Sequence, residues 1–562
     1  MFSPALGEFG EICMLLQTPQ YLKTDVLVIG GGGGGLRAAI ESRKLGREGL
    51  VVSKSRAGYG NNTAIAMAMF AASGSGKEPR DNPLEHLKDT VVAGCYLNNQ
   101  ELAQVMTEGA WQQVKDLEEM GANYKRNGDR IWIMHVPGHT YPRHVSANRT
   151  VGVEFSGPMR QYASKIGVRF LDGLEVADLL VSKGEVFGAV CVDGKGGLLV
   201  IWSAATVLAT GGAGEVFLRT NNAAGSTGDG LALCYEKGLP LVDMELIQFY
   251  PTTVGKFGSR LWAYEVVLGR GATLRNRLGE DVLEKHLLKN FVTMTRDRLA
   301  RAIMLEILAG NGIDGRLQAD LSTVPPDKME KVRQVVEAQR YTEKALVAPA
   351  AHYFMGGVMI NRKCETGLRR LFAAGEVCGG IHGANRLAGN AITDIFVFGT
   401  IAGKQAAAVD TAENRESLAV AIEAVDKLNA LASFEGAEDL ETVRFDLRQA
   451  MWEKAGIVRS EQSLREALEA VKVVGERLKR VKAESPQDLI GLVKLKAMLT
   501  VSEMVCRAAM LRRESRGSHY RTDFLEQNNR DWLKNIVITK KGGKMELTTR
   551  PVEFPMVALP PE

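Results

Sequence analysis

The chain has 562 residues but only seven cysteines, and none of them form closely spaced pairs. They stand at positions 13, 95, 191, 234, 364, 378 and 506. Iron–sulfur and zinc sites are usually marked by CxxC spacings, which this chain lacks. We therefore predict reduced thiols in the core, no metal site and no iron–sulfur cluster within this chain.

The sequence also lacks a long apolar run and a strong excess of charge. No segment approaches the roughly 20 apolar residues of a membrane-spanning helix, and residues 1–21 have no basic stretch before an apolar one. The formal net charge of +4 indicates neither nucleic acid nor an anionic membrane as a partner. We expect a cytoplasmic protein with no direct membrane span, and with more than one domain because single cores stop growing near roughly 250–300 residues.

A glycine run near the N-terminus predicts a dinucleotide-binding turn. The apolar strand 25–29 leads into six successive glycines and then into an alanine-rich helix. Gly30, Gly32 and Gly35 fit the GxGxxG fingerprint, in which the glycines allow the turn, the approach of a pyrophosphate and close helix packing. A glycine-rich linker is the alternative interpretation. The next strand ends in Ser53 and Lys54, not in the acid that usually binds a ribose, so this motif alone leaves the dinucleotide open.

Seven motifs in a fixed order, beginning with this one, resemble a known family. They are VIGGGGGGLRAA (28–39), ATGGAG (209–214), STGDG (226–230), QFYPT (248–252), TRDRLARA (295–302), HYFMGG (352–357) and GEVCGGIHGANRLAGN (375–390). Together, over nearly the whole chain, they are similar to the flavoprotein subunits of succinate dehydrogenase and fumarate reductase. L-Aspartate oxidase is a close relative of that family.

The resemblance implies an α/β fold in three parts. A Rossmann-like FAD-binding domain occupies residues 22–240 and 346–410, and an inserted α+β capping domain occupies residues 241–345. A C-terminal helical domain follows over 411–562, where long charged segments such as 461–482 carry apolar residues at helical spacing. In this arrangement the capping domain closes over the flavin, and the substrate lies between the two domains.

The resemblance also implies roles for individual residues. Arg296 aligns with the family's proton-transferring arginine and Glu265 with its proton-relay glutamate, while His352 and Arg386 hold one substrate carboxylate. The implied chemistry is hydride transfer between flavin N5 and one carbon of a double bond, with proton transfer at the neighbouring carbon. The predicted FAD-binding residues are Gly30, Gly32, Gly33, Gly35, Ser53, Lys54, Thr63, Thr210, Gly211, Asp229, Glu376, Arg386, Ala391 and Ile392. The simpler alternatives are a surface Arg296 paired with Asp297 and a core His352 with satisfied hydrogen bonds.

Departures from the family pattern concern the flavin attachment and the second carboxylate. Many members attach FAD through the histidine of an SHT segment, whereas this chain has Asn61–Asn62–Thr63, so we predict noncovalent FAD. Tyr250 replaces a histidine, and Tyr264 replaces a threonine that helps to hold the second carboxylate. Leu268 replaces the relay arginine, with Arg270 nearby as a candidate substitute. A tyrosine hydroxyl can donate to a carboxylate, but its ring can equally line an apolar pocket, and both interpretations stay open.

We therefore predict an FAD-dependent oxidoreductase that reduces or forms a C=C bond next to a carboxylate, with fumarate and succinate as the leading pair. Its predicted partners are a small carboxylate substrate and an iron–sulfur electron-transfer subunit, through which it could associate with a membrane. Three alternatives remain: an L-aspartate oxidase, an adenylylsulfate reductase-like flavoprotein, and a non-catalytic flavin electron relay within a larger complex.

Overall fold

A computed structural model describes residues 14–149, 151–289, 294–338, 345–411 and 418–560. The prediction for Cys13 lies outside these ranges. The α-helices are Gly33–Lys44, Asn62–Ile65, Pro83–Ala93, Gln100–Glu119, Val153–Lys165, Asp229–Glu236, Tyr264–Val267, Val282–Lys285, Arg296–Leu308, Pro326–Ala338, Asn390–Ala407, Leu418–Ala432, Leu440–Ala455, Glu461–Leu478, Pro486–Leu511 and Asn529–Trp532. Short 3-10 turns span Gly214–Val216, Lys256–Gly258 and Leu268–Arg270.

A seven-stranded sheet carries the glycine fingerprint. Its strands run in the order Arg169–Asp172, Gly49–Ser53, Gln20–Ile29, Leu198–Leu208, Glu185–Asp193 and Leu174–Ser182, with Leu371–Ala373 paired to the end of Leu198–Leu208. The first four strands are parallel neighbours, and the last two add an antiparallel edge. Helices Gly33–Lys44 and Asn390–Ala407 pack against each other and against this sheet. The predicted Rossmann-like architecture is confirmed.

A separate five-stranded antiparallel sheet forms the centre of the capping region. Its order is Arg260–Leu261, Ile247–Val254, Leu346–Phe354, Leu317–Asp320 and Thr273–Arg275. This region has its own apolar cluster, which includes Tyr250, Tyr264 and Leu268 and is distinct from the large core of the main sheet. The strand Leu346–Phe354 belongs to this sheet and leads the chain back toward the cofactor-binding part, so residues near its end face both regions.

The C-terminal part combines long helices with a β-hairpin. Strands Lys534–Lys541 and Lys544–Pro551 extend a four-stranded sheet that also contains Leu241–Val242 and Gly357–Val358. The remaining short strands are Met69–Ala71, Arg126–Asn127, Arg130–Ile131, Ile133–Met134, His144–Ser146, Val458–Arg459 and Tyr520–Arg521. Among the residues that the structure describes, no helix combines the length and apolar character needed to cross a membrane.

A buried ion network fixes the C-terminal part onto the start of the capping region. Arg512 Nε lies 2.7 Å from Glu245 Oε1, and Arg516 Nε lies 2.8 Å from Glu514 Oε1. All four of these side chains are fully buried. Buried charges are costly unless they are paired, so the loss of one partner would leave an uncompensated ion in the interior.

The described cysteines are free thiols, and most of them are buried. Cys95 is half-buried, whereas Cys191, Cys234, Cys364, Cys378 and Cys506 are buried. Burial raises the pKa of the Cys234 and Cys506 thiols to about 12, so both are protonated at neutral pH. In the described part of the chain, no group of three or more His, Cys, Asp or Glu side chains could hold a metal ion.

Candidate active site

A cleft opens at the carboxyl ends of the parallel strands, beside the glycine run. It is the position where open α/β sheets bind ligands. The predicted FAD-binding residues that line it are Gly30, Gly32, Gly33, Ser53, Lys54, Thr63, Thr210, Gly211, Asp229 and Glu376. Those that do not line it are Gly35, Arg386, Ala391 and Ile392.

The three fingerprint glycines differ in how much room the structure leaves for a side chain. Gly30 has φ of +117°, and a Cβ there would lie 2.1 Å from the carbonyl oxygen of Ala209. A Cβ on Gly35 would lie 1.9 Å from the carbonyl oxygen of Gly30. In contrast, the nearest atom to a Cβ on Gly32 is Thr63 Oγ1 at 3.6 Å. A Cβ at Gly32 would therefore make only ordinary van der Waals contact with the protein, next to the helix N-terminus where a pyrophosphate would meet backbone N–H groups.

The polar lining of the cleft also suits a dinucleotide. Lys54 Nζ lies 2.7 Å from Asp229 Oδ1, and the Thr210 hydroxyl is buried with no hydrogen-bond partner among the described residues. Glu376 Oε1 accepts from the backbone N–H of Phe354 at 3.0 Å. Burial raises the pKa of Glu376 to about 7. A ligand hydroxyl that donates to this carboxyl group would stabilise its charged form. Glu175, on the antiparallel edge strand Leu174–Ser182, also lines the cleft and was not predicted.

An ion pair between Arg296 and Glu265 lies in the capping region. Arg296 opens the helix Arg296–Leu308, and its Nη2 lies 3.2 Å from Oε1 of Glu265, which sits on the turn Tyr264–Val267. The two side chains are only 15% and 20% exposed. Burial lowers the pKa of Arg296. Glu265 and the nearby tyrosines raise that pKa by more, so it lies above its ordinary value. The alternative partner Asp297 instead accepts from Asn385 Nδ2 at 3.2 Å.

One glutamine side chain connects the two predicted active-site arginines. Gln248 Oε1 accepts from Arg386 Nη2 at 2.7 Å and from Arg296 Nη1 at 3.3 Å. Its Nε2 donates to Asn385 Oδ1 at 3.0 Å and to the carbonyl oxygen of Arg386 at 2.9 Å. Gln248 is fully buried. The two cations therefore share a neutral acceptor, and neither is neutralised by it.

The surroundings of Arg386 favour the binding of an anion. Its Nε is buried and has no hydrogen-bond partner in the described part of the chain, and its Cζ lies 4.6 Å from the centre of the Tyr353 ring. Burial, followed by repulsion from Arg296, lowers the pKa of Arg386 to about 9. A carboxylate bound here would supply the missing acceptor and oppose the repulsion between the two guanidinium groups.

His352 lies on the strand that returns from the cap, between Arg386 and the tyrosines. Its Nδ1 is 3.1 Å from Asn221 Oδ1, and its ring centre is 5.3 Å from that of Tyr250. Burial lowers the pKa of His352 well below its ordinary value, and both arginines act in the same direction. A neutral imidazole whose Nδ1 proton is donated to Asn221 has no proton on Nε2. It would donate to a carboxylate only after protonation, which a bound anion favours.

The two tyrosines are neighbours of each other, and Tyr250 also packs beside His352 and Arg296. The Tyr250 hydroxyl donates to Glu265 Oε2 at 2.7 Å, and the Tyr250 and Tyr264 ring centres are 5.6 Å apart. Arg296 Cζ lies 5.3 Å from the centre of the Tyr250 ring. Burial, followed by the charge of Glu265, raises the pKa of both tyrosines, so they stay protonated. Arg270, the candidate substitute for the relay arginine, donates from Nη1 to the carbonyl oxygen of Val266 at 2.9 Å.

Sequence comparisons identify the family. A profile described as an FAD binding domain matches residues 25–392, and one described as a fumarate reductase flavoprotein C-terminal segment matches residues 444–562. The chain belongs to the fumarate reductase/succinate dehydrogenase flavoprotein family. Its cofactor is FAD.

Named relatives and solved structures cover almost the whole chain. An uncharacterized FAD-dependent oxidoreductase of Methanocaldococcus jannaschii is 36% identical over 535 residues, 93% of this chain and 97% of that protein. A fumarate reductase (CoM/CoB) subunit of Methanothermobacter marburgensis is 34% identical over 533 residues, 92% of this chain and 97% of that protein. A chain of Escherichia coli quinol fumarate reductase superposes with a TM-score of 0.89 at 28% identity, covering 97% of this chain and 98% of that one.

At the position where many family members attach the flavin, this chain has Asn62, which makes a structural hydrogen bond. Asn62 lines the cleft, and its Oδ1 accepts from the backbone N–H of Ala223 at 2.6 Å. Asn61 caps the short helix Asn62–Ile65 by accepting from the Ala64 N–H at 3.1 Å. An asparagine amide offers no ring nitrogen for a bond to the flavin, so noncovalent FAD stays the prediction for this member of the family.

The most important residue that sequence reasoning missed is Gln248. It stands two positions before Tyr250 in the QFYPT motif, and alternate residues of a strand share one face. That periodicity could have placed Gln248 beside the pocket. Its contact with Arg386 could not have been read from the motif, because that contact joins residues 138 positions apart.

Proposed function

We propose that this chain is the catalytic flavoprotein of an enzyme that reduces a C=C bond next to a carboxylate, or forms one in the reverse direction. The observation that supports it best is the shared contact of Arg296 and Arg386 with one oxygen of Gln248. A proton-bearing guanidinium thus lies beside a guanidinium to which the described residues supply no anion. A conjugated carboxylate substrate needs both functions next to each other.

Each side chain has a role in this proposal. FAD, when bound, supplies the hydride that the double bond receives, or accepts it in the reverse direction. Arg386 and His352 hold the carboxylate, and Arg296 delivers a proton to the neighbouring carbon. A guanidinium, whose pKa is ordinarily far above neutral, acts as an acid only where carbanion character develops beside it. Glu265 keeps Arg296 in place and returns a proton to it.

The electrons would come from a partner. Among the relatives, the Methanothermobacter marburgensis protein is named as one subunit of its enzyme, and the sequence of this chain has no cluster-binding spacing of cysteines. We therefore include an iron–sulfur subunit in the proposal, together with any membrane association that such a partner brings. A cytoplasmic location is part of the same proposal.

One alternative function, the non-catalytic flavin electron relay, is supported by a specific observation. Leu268 stands where the family has its relay arginine, and it is buried in the apolar core of the cap. Without this proton-relay arginine, the chain could pass electrons through its flavin and catalyse no reaction of its own. That rival predicts that substitution of Arg296 leaves electron transfer unchanged.

The test is an anaerobic assay of the FAD-loaded chain with reduced viologen and a panel of unsaturated carboxylates. Oxidation of the dye that depends on a panel member supports the proposal. Dye oxidation that no carboxylate stimulates supports the relay, and peroxide formed from L-aspartate in air supports an aspartate oxidase. The Arg298→Ala variant serves as a control because Arg298 is exposed on the same helix as Arg296.

A further inference from the structure

We propose that the substrate is an α,β-unsaturated monocarboxylate with an uncharged substituent on its β-carbon, and not a dicarboxylate. The inference rests on the proposed function and narrows its substrate class. It depends on which hydrogen-bonding groups of the pocket are free and which are already used by the protein.

The side of the pocket near Arg386 has donors left for one carboxylate. The Arg386 Nε–H is buried without a partner in the described residues, and Nη2 is shared with a neutral amide oxygen. His352 is near enough to Arg386 for the guanidinium charge to lower the histidine's pKa, and it gains a donor on protonation. This half of the site can therefore bind and neutralise one negative charge.

On the opposite side, the strongest donors among the described residues already have partners within the protein. The single hydroxyl proton of Tyr250 is donated to Glu265 at 2.7 Å, and the charge of Arg296 is balanced by the same carboxylate. Only the Tyr250 oxygen, which is an acceptor, then remains to face a second substrate carboxylate at this wall, whereas a histidine in this position could donate. Two acceptors that face each other without a proton between them stay unpaired, which is unfavourable in a partly desolvated site.

The surfaces at this wall are suited to an uncharged group. Tyr250 is 1% exposed and Tyr264 is 5% exposed, and both belong to the apolar cluster of the cap together with Leu268. Aromatic rings at centre-to-centre distances of 5.6 Å and 5.3 Å connect Tyr264, Tyr250 and His352. Aromatic faces and edges of this kind pack well against an alkyl or aryl substituent.

The reaction balances for this substrate. R–CH=CH–COO⁻ takes up two electrons and two protons to give R–CH₂–CH₂–COO⁻. The β-carbon receives a hydride and the α-carbon receives a proton from Arg296, because negative charge that develops at the α-carbon is stabilised by the adjacent carboxylate. The C=C π bond breaks and two C–H bonds form. A one-electron donor of the viologen type supplies both electrons in the assay.

The experiment compares kcat/KM for (E)-but-2-enoate, (E)-3-phenylprop-2-enoate and fumarate with reduced viologen. We expect at least one of the two monocarboxylates to exceed fumarate by about a hundredfold or more, because a second charge at this wall is rejected. A preference for fumarate overturns the inference and leaves the proposed function standing. No turnover on any of the three acids overturns the proposed function and this inference with it.

Two variants separate the roles of ring and hydroxyl. Tyr250→Phe keeps the ring, and we expect it to retain the preference for the monocarboxylate. The Tyr250→His/Tyr264→Thr double variant restores the residues implied by the family resemblance, and we expect it to shift the preference toward fumarate by about tenfold or more. Loss of fumarate turnover on Tyr250→Phe alone would contradict the inference, since it would mean that the hydroxyl holds a second carboxylate.

A binding measurement on the unmodified chain makes the test independent of how the variants fold. Butanoate should inhibit the wild-type enzyme competitively and more strongly than succinate. Stronger inhibition by succinate would overturn the inference. The FAD content and melting temperature of each variant show whether it has folded.

Discussion

The two walls of the candidate active site are built in different ways. The cofactor wall depends on backbone contacts, such as that of Gly30 with Ala209, where an added Cβ would lie 2.1 Å from a carbonyl oxygen. The cap wall depends on side chains, such as those of Tyr250 and Tyr264, that belong to a separate apolar core. Backbone contacts tolerate almost no replacement, whereas a side-chain wall can be changed within its own core. The fingerprint glycines of the cofactor wall accordingly follow the family pattern, whereas Tyr250 and Tyr264 of the cap wall depart from it.

The largest effect is expected at Arg296. If Arg296 is the proton donor, Arg296→Ala should lower kcat by about a thousandfold or more, because positioned proton transfer contributes about 10²–10⁴. FAD content should stay unchanged, because Arg296 belongs to the cap wall. Viologen oxidation on the preferred acid measures this, with Arg298→Ala as the matched control. Normal turnover by Arg296→Ala would remove the catalytic assignment and favour the electron relay.

A smaller effect is expected at Gln248, the residue that joins the two walls. Gln248→Leu would leave buried guanidinium donors without their acceptor, which costs about 1–3 kcal/mol per group, so kcat/KM should fall by about 10- to 100-fold. Gln248→Glu should instead raise KM, because its carboxylate would occupy the cations that bind substrate. Unchanged kinetics in both variants would mean that Gln248 does not position the arginines.

The pH dependence of anion binding tests His352. Its pKa is lowered in the free enzyme, and a bound carboxylate raises it, so binding takes up a proton between these two values. The dissociation constant of butanoate should therefore increase with pH, by about tenfold per unit at most within that interval. His352→Gln should bind more weakly and lose this dependence. A wild-type profile that is flat from pH 5 to pH 8 would contradict a role for His352 in binding.

Glu376 offers a test on the cofactor wall. Its pKa is raised from 4.5 to about 7 by burial, so the folded apo-protein binds more protons than the unfolded chain in that interval. Stability is therefore lost as the pH rises from 4.5 toward 7 and is not regained above it. Glu376→Gln should raise the melting temperature of the apo-protein by about 1–3 °C at pH 8 and leave it unchanged near pH 4, while it weakens FAD binding. A lower melting temperature of the apo-protein at pH 8 would contradict this.

The smallest expected effect concerns the attachment of FAD. With Asn62 at the attachment position, acid precipitation of the wild-type protein should release all of its flavin into the supernatant. Flavin that remains in the pellet would show a covalent bond and contradict the prediction. Asn62→Ala should loosen FAD binding modestly, because it removes the contact of Asn62 with the Ala223 N–H.

The sequence predicts the cofactor wall more completely than the cap wall. The spacing of Gly30, Gly32 and Gly35 indicates their backbone roles, and the TRD motif indicates Arg296. The bond from Tyr250 to Glu265, the bridge at Gln248 and the position of Glu175 join segments that are distant in sequence or carry no motif. The first lies within the cap, the second joins the cap to the cofactor-binding part, and the third lies on an edge strand of the main sheet; all three depend on tertiary packing, which local periodicity does not encode.

A single-turnover experiment tests the contrast between the two walls most directly. The FAD-loaded wild-type chain is reduced anaerobically, mixed with (E)-but-2-enoate, (E)-3-phenylprop-2-enoate or fumarate, and followed by the absorbance of oxidised flavin. We expect reoxidation by at least one of the two monocarboxylates to be faster than that by fumarate by about a hundredfold or more. Reoxidation by fumarate that is as fast as or faster than that by both would show that the cap wall still binds a second carboxylate, and would contradict the proposed difference between the two walls.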